Sequence, residues 1–352
     1  MQIIHLKQGP VEAEAKRGGL VVNISVLELN DPANNQSSTP LEKSLILACC
    51  GEFFQILVAG WHESECAKVF ENVEQFCSIK RDTLTVLDSS YGKDFLLENV
   101  VRKFYRLVVL DTYEDQPNSR AFWLTNLLKP FTIFQQAKLL LILYGPIFKV
   151  DWYLVIHSTS SSQGEARRTL IELSKAVRLL HQYTKEWSQD DIISIIEDII
   201  SKCHYSKDFF MLVTNKITAQ PGAWHIENVA ILLFFCGSEI SITFIGSRAI
   251  NGRALDVAEL TAYLCFVCHK FHFCIEYAVK ILNGVIDIME SDKDKAAFLY
   301  NIVTYFQEKI LDLHESTMLE VEDGELLTMW VYAQALFSGN ILRKAFIQKD
   351  NR

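Results

Sequence analysis

Cysteine and histidine side chains that could bind a metal are concentrated in the segment Cys265–Cys274. Cys265, Cys268 and His269 form the C-x-x-C-H string of haem attachment, and His272 follows three residues later. On a helix the positions i, i+3, i+4 and i+7 lie within about 100° of one face. The four side chains therefore have a spacing that suits metal ligands, provided that they can converge.

The length of the helix prevents all four side chains from reaching one ion. Residues 265 and 272 are about 10 Å apart along a helix axis, whereas metal–ligand bonds are about 2.0–2.3 Å long. No second C-x-x-C or H-x-x-x-H string supplies further ligands. We interpret these residues as partly buried side chains of a core helix and predict neither a metal nor a cofactor. Zinc binding through Cys265, Cys268, His269 or His272 is the alternative, and haem attachment a further one.

Two other strings resemble catalytic motifs but lack residues that the chemistry requires. The string H-E-S-E-C at 62–66 has Cys66 where the zincin H-E-x-x-H has its second histidine, so we interpret it as a helix start. The Gly-Lys pair at 92–93 is not a P-loop, because Leu87 occupies the first glycine position and Asp94 replaces the Ser or Thr. The sequence predicts no catalytic residues and a protein that is not an enzyme.

The elements that carry these residues follow a helical period from Leu41 onward. Only 15 glycines and seven prolines interrupt 352 residues, which favours long helices. Apolar periodicity and breaker residues predict helices over 41–59, 62–79, 94–112, 119–129, 132–144, 165–183, 188–203, 206–218, 223–236, 239–250, 253–271, 273–289, 293–314 and 324–347. We therefore predict an all-α fold: an irregular, α-solenoid-like stack of antiparallel helix pairs, with about fourteen helices and no fixed repeat period.

The chain divides into two parts of different composition. Residues 1–40 combine a polar string with one short apolar run, Leu20–Leu29, and are predicted to form a poorly ordered N-terminal arm, with at most one strand. Residues 41–348 are predicted to form the helical domain. The Ser- and Gly-rich stretch at 158–164 is the best candidate for a hinge within it.

Charge and cysteine content restrict the possible partners. The net charge of −9 opposes binding to nucleic acid, and we interpret the cluster Arg167, Arg168, Lys175 and Arg178 as the solvated side of one helix. Nine cysteines, an odd number set mostly in apolar runs, are typical of free thiols in a reducing compartment. No apolar stretch reaches the length of a membrane span, and no secretory signal is evident. We expect no nucleic-acid or membrane partner and a nuclear or cytoplasmic location.

Four short strings, in this order and spacing, carry a resemblance to a known family. They are L-V-A-G-W-H-E-S-E-C at 57–66; A-F-W-L-T-N-L-L-K-P at 121–130, with Q-A-K-L-L at 136–140 and Y-G-P at 144–146; T-K-E-W-S-Q-D-D at 184–191; and A-I-N-G-R at 249–253. Over about residues 45–345 the chain resembles the helical region of the F-box only protein 47 family. Gly60 and Pro130 in these strings also have structural roles, as a helix C-cap and a helix stop.

The resemblance implies a substrate-recognition subunit of an SCF-type ubiquitin ligase, with a protein substrate of ubiquitination and a role in germline, meiotic regulation. In that family an F-box precedes the helical region and binds a Skp-type adaptor. Residues 1–40 contain neither its Leu-Pro start nor its apolar three-helix pattern, so we expect an adaptor contact only if an F-box exists outside this chain. The alternatives are a helical scaffold that has lost the ligase link, and a zinc-binding helical protein.

Overall fold

Helices form almost all of the ordered architecture in the computed structural model, which describes residues 40–146, 164–201, 224–317 and 323–339. Those residues contain fourteen α-helices and no strand. The helices are α1 Pro40–Leu57, α2 Glu63–Phe76, α3 Ile79–Asp88, α4 Phe95–Tyr105, α5 Pro117–Leu128, α6 Ile133–Tyr144, α7 Gly164–Gln182, α8 Gln189–Ser201, α9 Ile226–Cys236, α10 Ser238–Ile250, α11 Ala254–Lys270, α12 Glu276–Ile288, α13 Asp292–Thr317 and α14 Asp323–Phe337. The predicted all-α class is confirmed.

From α4 onward the helices form two parallel rows. One row contains α4, α6, α8, α10 and α12, each in contact with the next, and the other contains α5, α7, α9, α11 and α13. Consecutive helices such as α7 and α8, or α10 and α11, connect the rows, and α14 packs against α11 and α13. Each helix therefore buries one side against its own row and another against the opposite row, as expected for a solenoid-like stack.

The helix α6 lies at the centre of this arrangement because its second half, residues 139–144, is an unbroken apolar run that is hydrophobic all round the helix. Every residue of α6 from Gln136 to Tyr144 is buried, and the helix contacts α3, α4, α7 and α8. Full burial of each leucine side chain stabilises the fold by about 1.5–3 kcal/mol. A helix that is hydrophobic all round can only be stable in such a position.

The N-terminal end of the stack contains two departures from the predicted helices. The segment 94–112 was predicted as one helix, but α4 ends at Tyr105 and continues as a π-helical turn, Arg106–Leu110. A Cβ atom on Gly51 of α1 would lie 2.3 Å from the Leu107 carbonyl oxygen of this turn. The glycine therefore allows α1 to pack directly on the π-helical turn.

The helix α3 was not predicted, although it lies among predicted helices. Its ten residues include the β-branched residues Thr83, Thr85 and Val86, which weaken a helical signal in so short a segment. Ser78 separates α2 from α3 by adopting a left-handed conformation, with φ 58°. The predicted helix 62–79 is therefore shortened to end at Phe76.

Helix starts follow local capping chemistry. Ser188 and Asp191 form a capping box at the start of α8: the Asp191 backbone N–H donates to Ser188 Oγ at 3.1 Å, and the Ser188 N–H donates to Asp191 Oδ2 at 3.0 Å. Thr132 and Gln135 form an equivalent box at α6.

Several predictions fall outside the described residues and stay predictions. They are the arm over 1–39, residues 158–163 of the candidate hinge, the helix over 206–218 and the last residues of the helix over 324–347. Within the described ranges, none of the helices combines the length and the apolar character needed to cross a membrane.

Candidate protein-interaction surface

The predicted metal-ligand candidates occupy different environments. Cys265 and Cys268 are fully buried in α11, where burial raises the pKa of both thiols, that of Cys268 to about 12. His269, at the end of α11, stacks on the Tyr332 ring with the ring centroids 5.3 Å apart. His272 is exposed and lies beyond the helix. Across the described ranges, no three His, Cys, Asp or Glu side chains converge as metal ligands would.

His272 terminates α11 and so departs from the predicted helical stripe. Its backbone is left-handed, with φ 55°, and its N–H donates to the His269 carbonyl at 3.1 Å. The Phe273 N–H donates to the Cys268 carbonyl at 2.8 Å, which completes a Schellman motif. Phe273 then stacks on Phe234 of α9 with the ring centroids 4.2 Å apart. The histidine therefore holds a position that usually favours glycine.

The string at 62–66 forms a helix start, as predicted. His62 is the N-cap of α2: its Nδ1 accepts from the Ser64 backbone N–H at 3.3 Å, and its own backbone N–H donates to Glu65 Oε2 at 3.4 Å. Cys66 is buried and directs its thiol to the Val58 carbonyl, 3.8 Å away. The two side chains that imitate a zincin pair therefore have separate structural contacts.

Arg167 corrects the interpretation of the basic cluster as a wholly solvated face. Its guanidinium carbon lies 4.1 Å from the centroid of the Phe271 ring, and its side chain is half-buried. Arg168, Lys175 and Arg178 are exposed, as expected. A cation over an aromatic ring contributes to packing between α7 and the end of α11.

Two of the strings that carry the family resemblance contact each other. Trp187, in the loop before α8, donates from Nε1 to Thr125 Oγ1 of α5 at 2.8 Å. The Lys129 ammonium lies 4.1 Å from the centroid of the Trp187 ring and 4.0 Å from Asp191 Oδ2. These residues therefore fix the position of α8 relative to the end of α5.

A polar groove lies between α8 and α10. It encloses about 840 Å³, part of it open to solvent. The α8 helix exposes only a narrow stripe here, because its isoleucines are buried. The lining residues, which define the α8–α10 groove, are Asp190, Ile193, Ser194, Glu197, Ser247, Arg248, Asn251 and Arg253.

Charges of both signs lie in the α8–α10 groove. Arg248 Nε is 3.5 Å from Glu197 Oε1, and the Arg248 guanidinium carbon lies 4.2 Å from the centroid of the Phe244 ring. Burial lowers the pKa of Arg248, and the Glu197 carboxylate opposes that shift. Because Arg248 is held from two sides, its guanidinium is a positioned donor at the groove floor.

The loop after α10 sets the edge of the groove. Gly252 adopts a left-handed φ of 78° and donates its N–H to the Ala249 carbonyl, while the Arg253 N–H donates to the Arg248 carbonyl. This Schellman motif exposes Arg253. Ile250 and Leu255 flank the loop with 64% and 73% of their surface exposed. Exposed aliphatic and arginine side chains together favour contact with another protein.

The groove was not identified from the sequence. The string at 249–253 contributed to the resemblance, but α8 and α10 are about fifty residues apart along the chain. Only the contact between the two helices brings Glu197 to Arg248. The one feature of the sequence that could have indicated the groove is the helical pattern of α8, which leaves only a narrow polar stripe exposed.

A second, smaller concavity near α4 contains a buried carboxyl group. Glu98 Oε1 accepts from the Gly92 backbone N–H at 2.6 Å, and burial raises the pKa of Glu98 from 4.5 to about 7. Arg102 donates to the carbonyl oxygens of Ile142 and Gly145, and Lys138 donates to the carbonyls of Leu87 and Ser89. These contacts fix the loop before α4 and the end of α6, which indicates a structural role.

Comparison with known proteins gives matches over most of the chain. A family model described as "FBXO47, ARM repeats" matches residues 75–331. F-box only protein 47 of Homo sapiens is 32% identical over 314 residues, which cover 88% of this chain and 65% of the human protein. F-box only protein 47 of Mus musculus is 31% identical over 315 residues, covering 87% of this chain and 64% of the mouse protein. The chain thus spans just under two thirds of the length of these relatives. No solved structure matches it.

Proposed function

Because the chain belongs to the F-box only protein 47 family of armadillo-repeat proteins, we propose that it is a non-enzymatic subunit that recognises protein substrates for an SCF-type ubiquitin ligase. The family match over residues 75–331 carries this proposal. The relatives are named as F-box proteins, and their similarity covers 88% and 87% of this chain. A Skp-type adaptor is a proposed partner on condition that an F-box accompanies the helical region. A meiotic role and a nuclear or cytoplasmic location are further parts of the proposal.

The architecture supports a recognition role. A stack of helices in two rows presents long, regular surfaces, and such proteins bind other proteins along them. The α8–α10 groove lies inside the matched region and combines a positioned arginine with acidic and amide groups. We propose that this groove, with Ile250 and Leu255 at its edge, contacts the substrate.

Charge reversal at the edge of the groove tests this function. The double variant Arg253→Glu/Leu255→Asp changes two exposed side chains near the start of α11, where acidic residues do not oppose the helix dipole. The matched control is Lys293→Glu/Leu311→Asp on α13, where both side chains are also exposed. Both variants change the net charge equally.

Quantitative affinity purification from germline tissue compares the two variants with the unmodified full-length protein. We expect ligase subunits to copurify with all three baits. The recovered amount of a set of further partners should fall at least fivefold with the groove variant and should not fall with the control variant. Recovery of the same partners with the groove variant would show that the groove is not the contact surface. Recovery of partners without ligase subunits would favour the scaffold that has lost the ligase link.

A further inference from the structure

Arg253, at the edge of the α8–α10 groove, is a cation at the start of a helix. It is the N-cap of α11, and its side chain makes no capping hydrogen bond. Ser, Thr, Asp and Asn are the usual N-cap residues, and a positive charge at this position opposes the helix dipole. The Arg253 side chain is exposed, so burial does not offset that cost. The stability of the fold therefore does not account for an arginine here.

The acidic residues near the groove, in contrast, have structural roles. Asp190 and Asp256 lie in the first turns of α8 and α11, where the helix dipole favours a carboxylate. Glu197 pairs with Arg248, with Oε1 3.5 Å from Nε. Of the four charged residues that line the groove, Arg253 is thus the one to which the described part of the fold gives no structural role.

Arg248 and Arg253 form a pair of donors on the α10 side of the groove. The Arg253 N–H donates to the Arg248 carbonyl at 3.1 Å, which fixes the two backbones relative to each other. The contact of Arg248 with Glu197 is longer than the ~2.7–2.9 Å of a charge-assisted hydrogen bond, and a guanidinium carries further N–H donors on its terminal nitrogens. Burial lowers the pKa of Arg248, and the charge of Arg253 lowers it further. An anion bound by both arginines would relieve this repulsion.

The α8 side of the groove limits the charge of such an anion. Asp190 and Glu197 both line this side, about two turns apart along α8. A phosphate group carries about −1.5 to −2 charges at pH 7, so both carboxylates would repel it more strongly than they repel a carboxylate. The groove therefore favours an anion of one charge, such as the side chain of Asp or Glu.

Two aliphatic side chains beside the arginines add a second requirement. Ile250 and Leu255 flank the loop that carries Arg253, with 64% and 73% of their surface exposed. An apolar side chain that covers them gains about 25 cal/mol for each Å² of apolar surface removed from water. A segment that satisfies both requirements has a carboxylate and an apolar side chain close together.

We propose that the α8–α10 groove binds an Asp or Glu side chain of the protein substrate between Arg248 and Arg253, with a neighbouring apolar substrate residue on Ile250 and Leu255. Arginine pairs with a carboxylate through two parallel hydrogen bonds, which adds geometric specificity to the charge. This inference rests on the proposed function, because it names the kind of segment that the groove recognises.

Selection of random peptides on the purified full chain tests the proposal without a known substrate. Phage-displayed peptides are selected on the unmodified protein, on Arg253→Asn and on Lys293→Asn, which removes an exposed cation from the first turn of α13. We expect Asp or Glu beside Leu, Ile or Phe to be enriched at least fivefold on the unmodified protein and on Lys293→Asn, but not on Arg253→Asn. Enrichment of Lys or Arg, enrichment that survives Arg253→Asn, or no enrichment would overturn the proposal.

The affinity of one selected peptide measures the contribution of the charge. Replacement of its acidic residue by the corresponding amide, or by phosphoserine, should raise the Kd for the unmodified protein at least fivefold. With Arg253→Asn the acidic peptide and its amide should bind equally weakly. Tighter binding of the phosphoserine peptide would contradict a carboxylate site.

Unfolding in urea separates lost binding from lost structure. Arg253→Asn removes a charge that opposes the dipole of α11, so its unfolding midpoint should be at least as high as that of the unmodified protein. A lower midpoint would assign Arg253 a structural role and contradict the premise. Copurification of ligase subunits without selection of acidic peptides would refute this inference alone, whereas selected acidic peptides without ligase subunits would refute the proposed function.

Discussion

Two positions next to helix ends show how single residues set the geometry of the stack. Gly252 and His272 both occupy the left-handed position of a Schellman motif, after α10 and after α11. Glycine adopts this conformation freely, whereas a residue with a Cβ atom loses about 1–2 kcal/mol. His272 therefore terminates α11 at an energetic cost.

Substitution of His272→Gly should stabilise the protein. Relief of the left-handed strain is partly offset by the greater freedom of glycine in the unfolded chain, so we expect the free energy of unfolding to rise by about 0.5–1 kcal/mol. Ser78→Gly, at another left-handed position that carries a side chain, should act similarly. Unfolding in urea measures the change in stability, and elemental analysis of the same variants measures bound zinc. A loss of stability together with a loss of bound zinc would support the zinc alternative instead.

The carboxyl group of Glu98 predicts a pH dependence of stability. Its pKa is raised to about 7 in the folded protein, from 4.5 in the unfolded chain. Between these two pH values the folded state binds a proton that the unfolded state releases, so the free energy of unfolding falls as the pH rises from about 4.5 to about 7 and then levels off. In Glu98→Gln this fall should be absent. The difference in the free energy of unfolding between the variant and the unmodified protein should therefore shift by about 1–3 kcal/mol in favour of the variant as the pH rises from 5 to 8.

Unfolding midpoints in urea, measured from pH 5 to pH 8, test this prediction. Glu308→Gln, at an exposed position on α13, is the control and should follow the unmodified protein. If Glu98→Gln loses stability in parallel with the unmodified protein, the carboxyl group does not titrate in this range.

At the scale of elements, close approach of α10 and α12 depends on small residues. A Cβ atom on Gly284 would lie 2.5 Å from Ile242 Cδ1, and one on Gly246 would lie 3.1 Å from Ile288 Cδ1. The two glycines, one on each helix, let the neighbouring isoleucines pack against helix backbone. The row that contains α4, α6, α8 and α10 therefore continues to α12 through contacts between glycine and isoleucine.

Gly284→Ala should separate these two helices and lower the free energy of unfolding by about 1–3 kcal/mol. Ile242→Ala removes the clashing atoms, so the double variant should lose at least about 1 kcal/mol less than the sum of the single changes. Gly324→Ala, where nothing lies within 4 Å of the added carbon, is the control. Strictly additive losses would show that the two residues do not meet.

At the scale of the whole molecule, the sequence predicts the fold class where apolar periodicity is strong, as in α7 and α8. Each of these helices has one apolar face, and burying that face against other helices gives the predicted all-α stack. The sequence did not predict α3, the π-helical turn or the position of His272. In each case a local conformation is fixed by packing and capping rather than by periodicity.

The proposed site was less accessible than the fold for a similar reason. Glu197 and Arg248 meet through contact between α8 and α10, and no sequence pattern encodes that contact. The strings that carried the resemblance have packing roles where the structure resolves their contacts: Trp187 and Lys129 join α5 to α8. They identified the family without locating a binding surface.

The central claim, recognition of proteins for ubiquitination, is tested most directly by the half-lives of the proteins that copurify with this chain. They are measured after translation is blocked, in cells that contain the unmodified protein, lack it, or contain Arg253→Glu/Leu255→Asp. We predict that the half-lives lengthen at least twofold on loss and with the groove variant, and that Lys293→Glu/Leu311→Asp restores them to normal. Half-lives that are the same in all these cells, while the partners still bind, would contradict the claim.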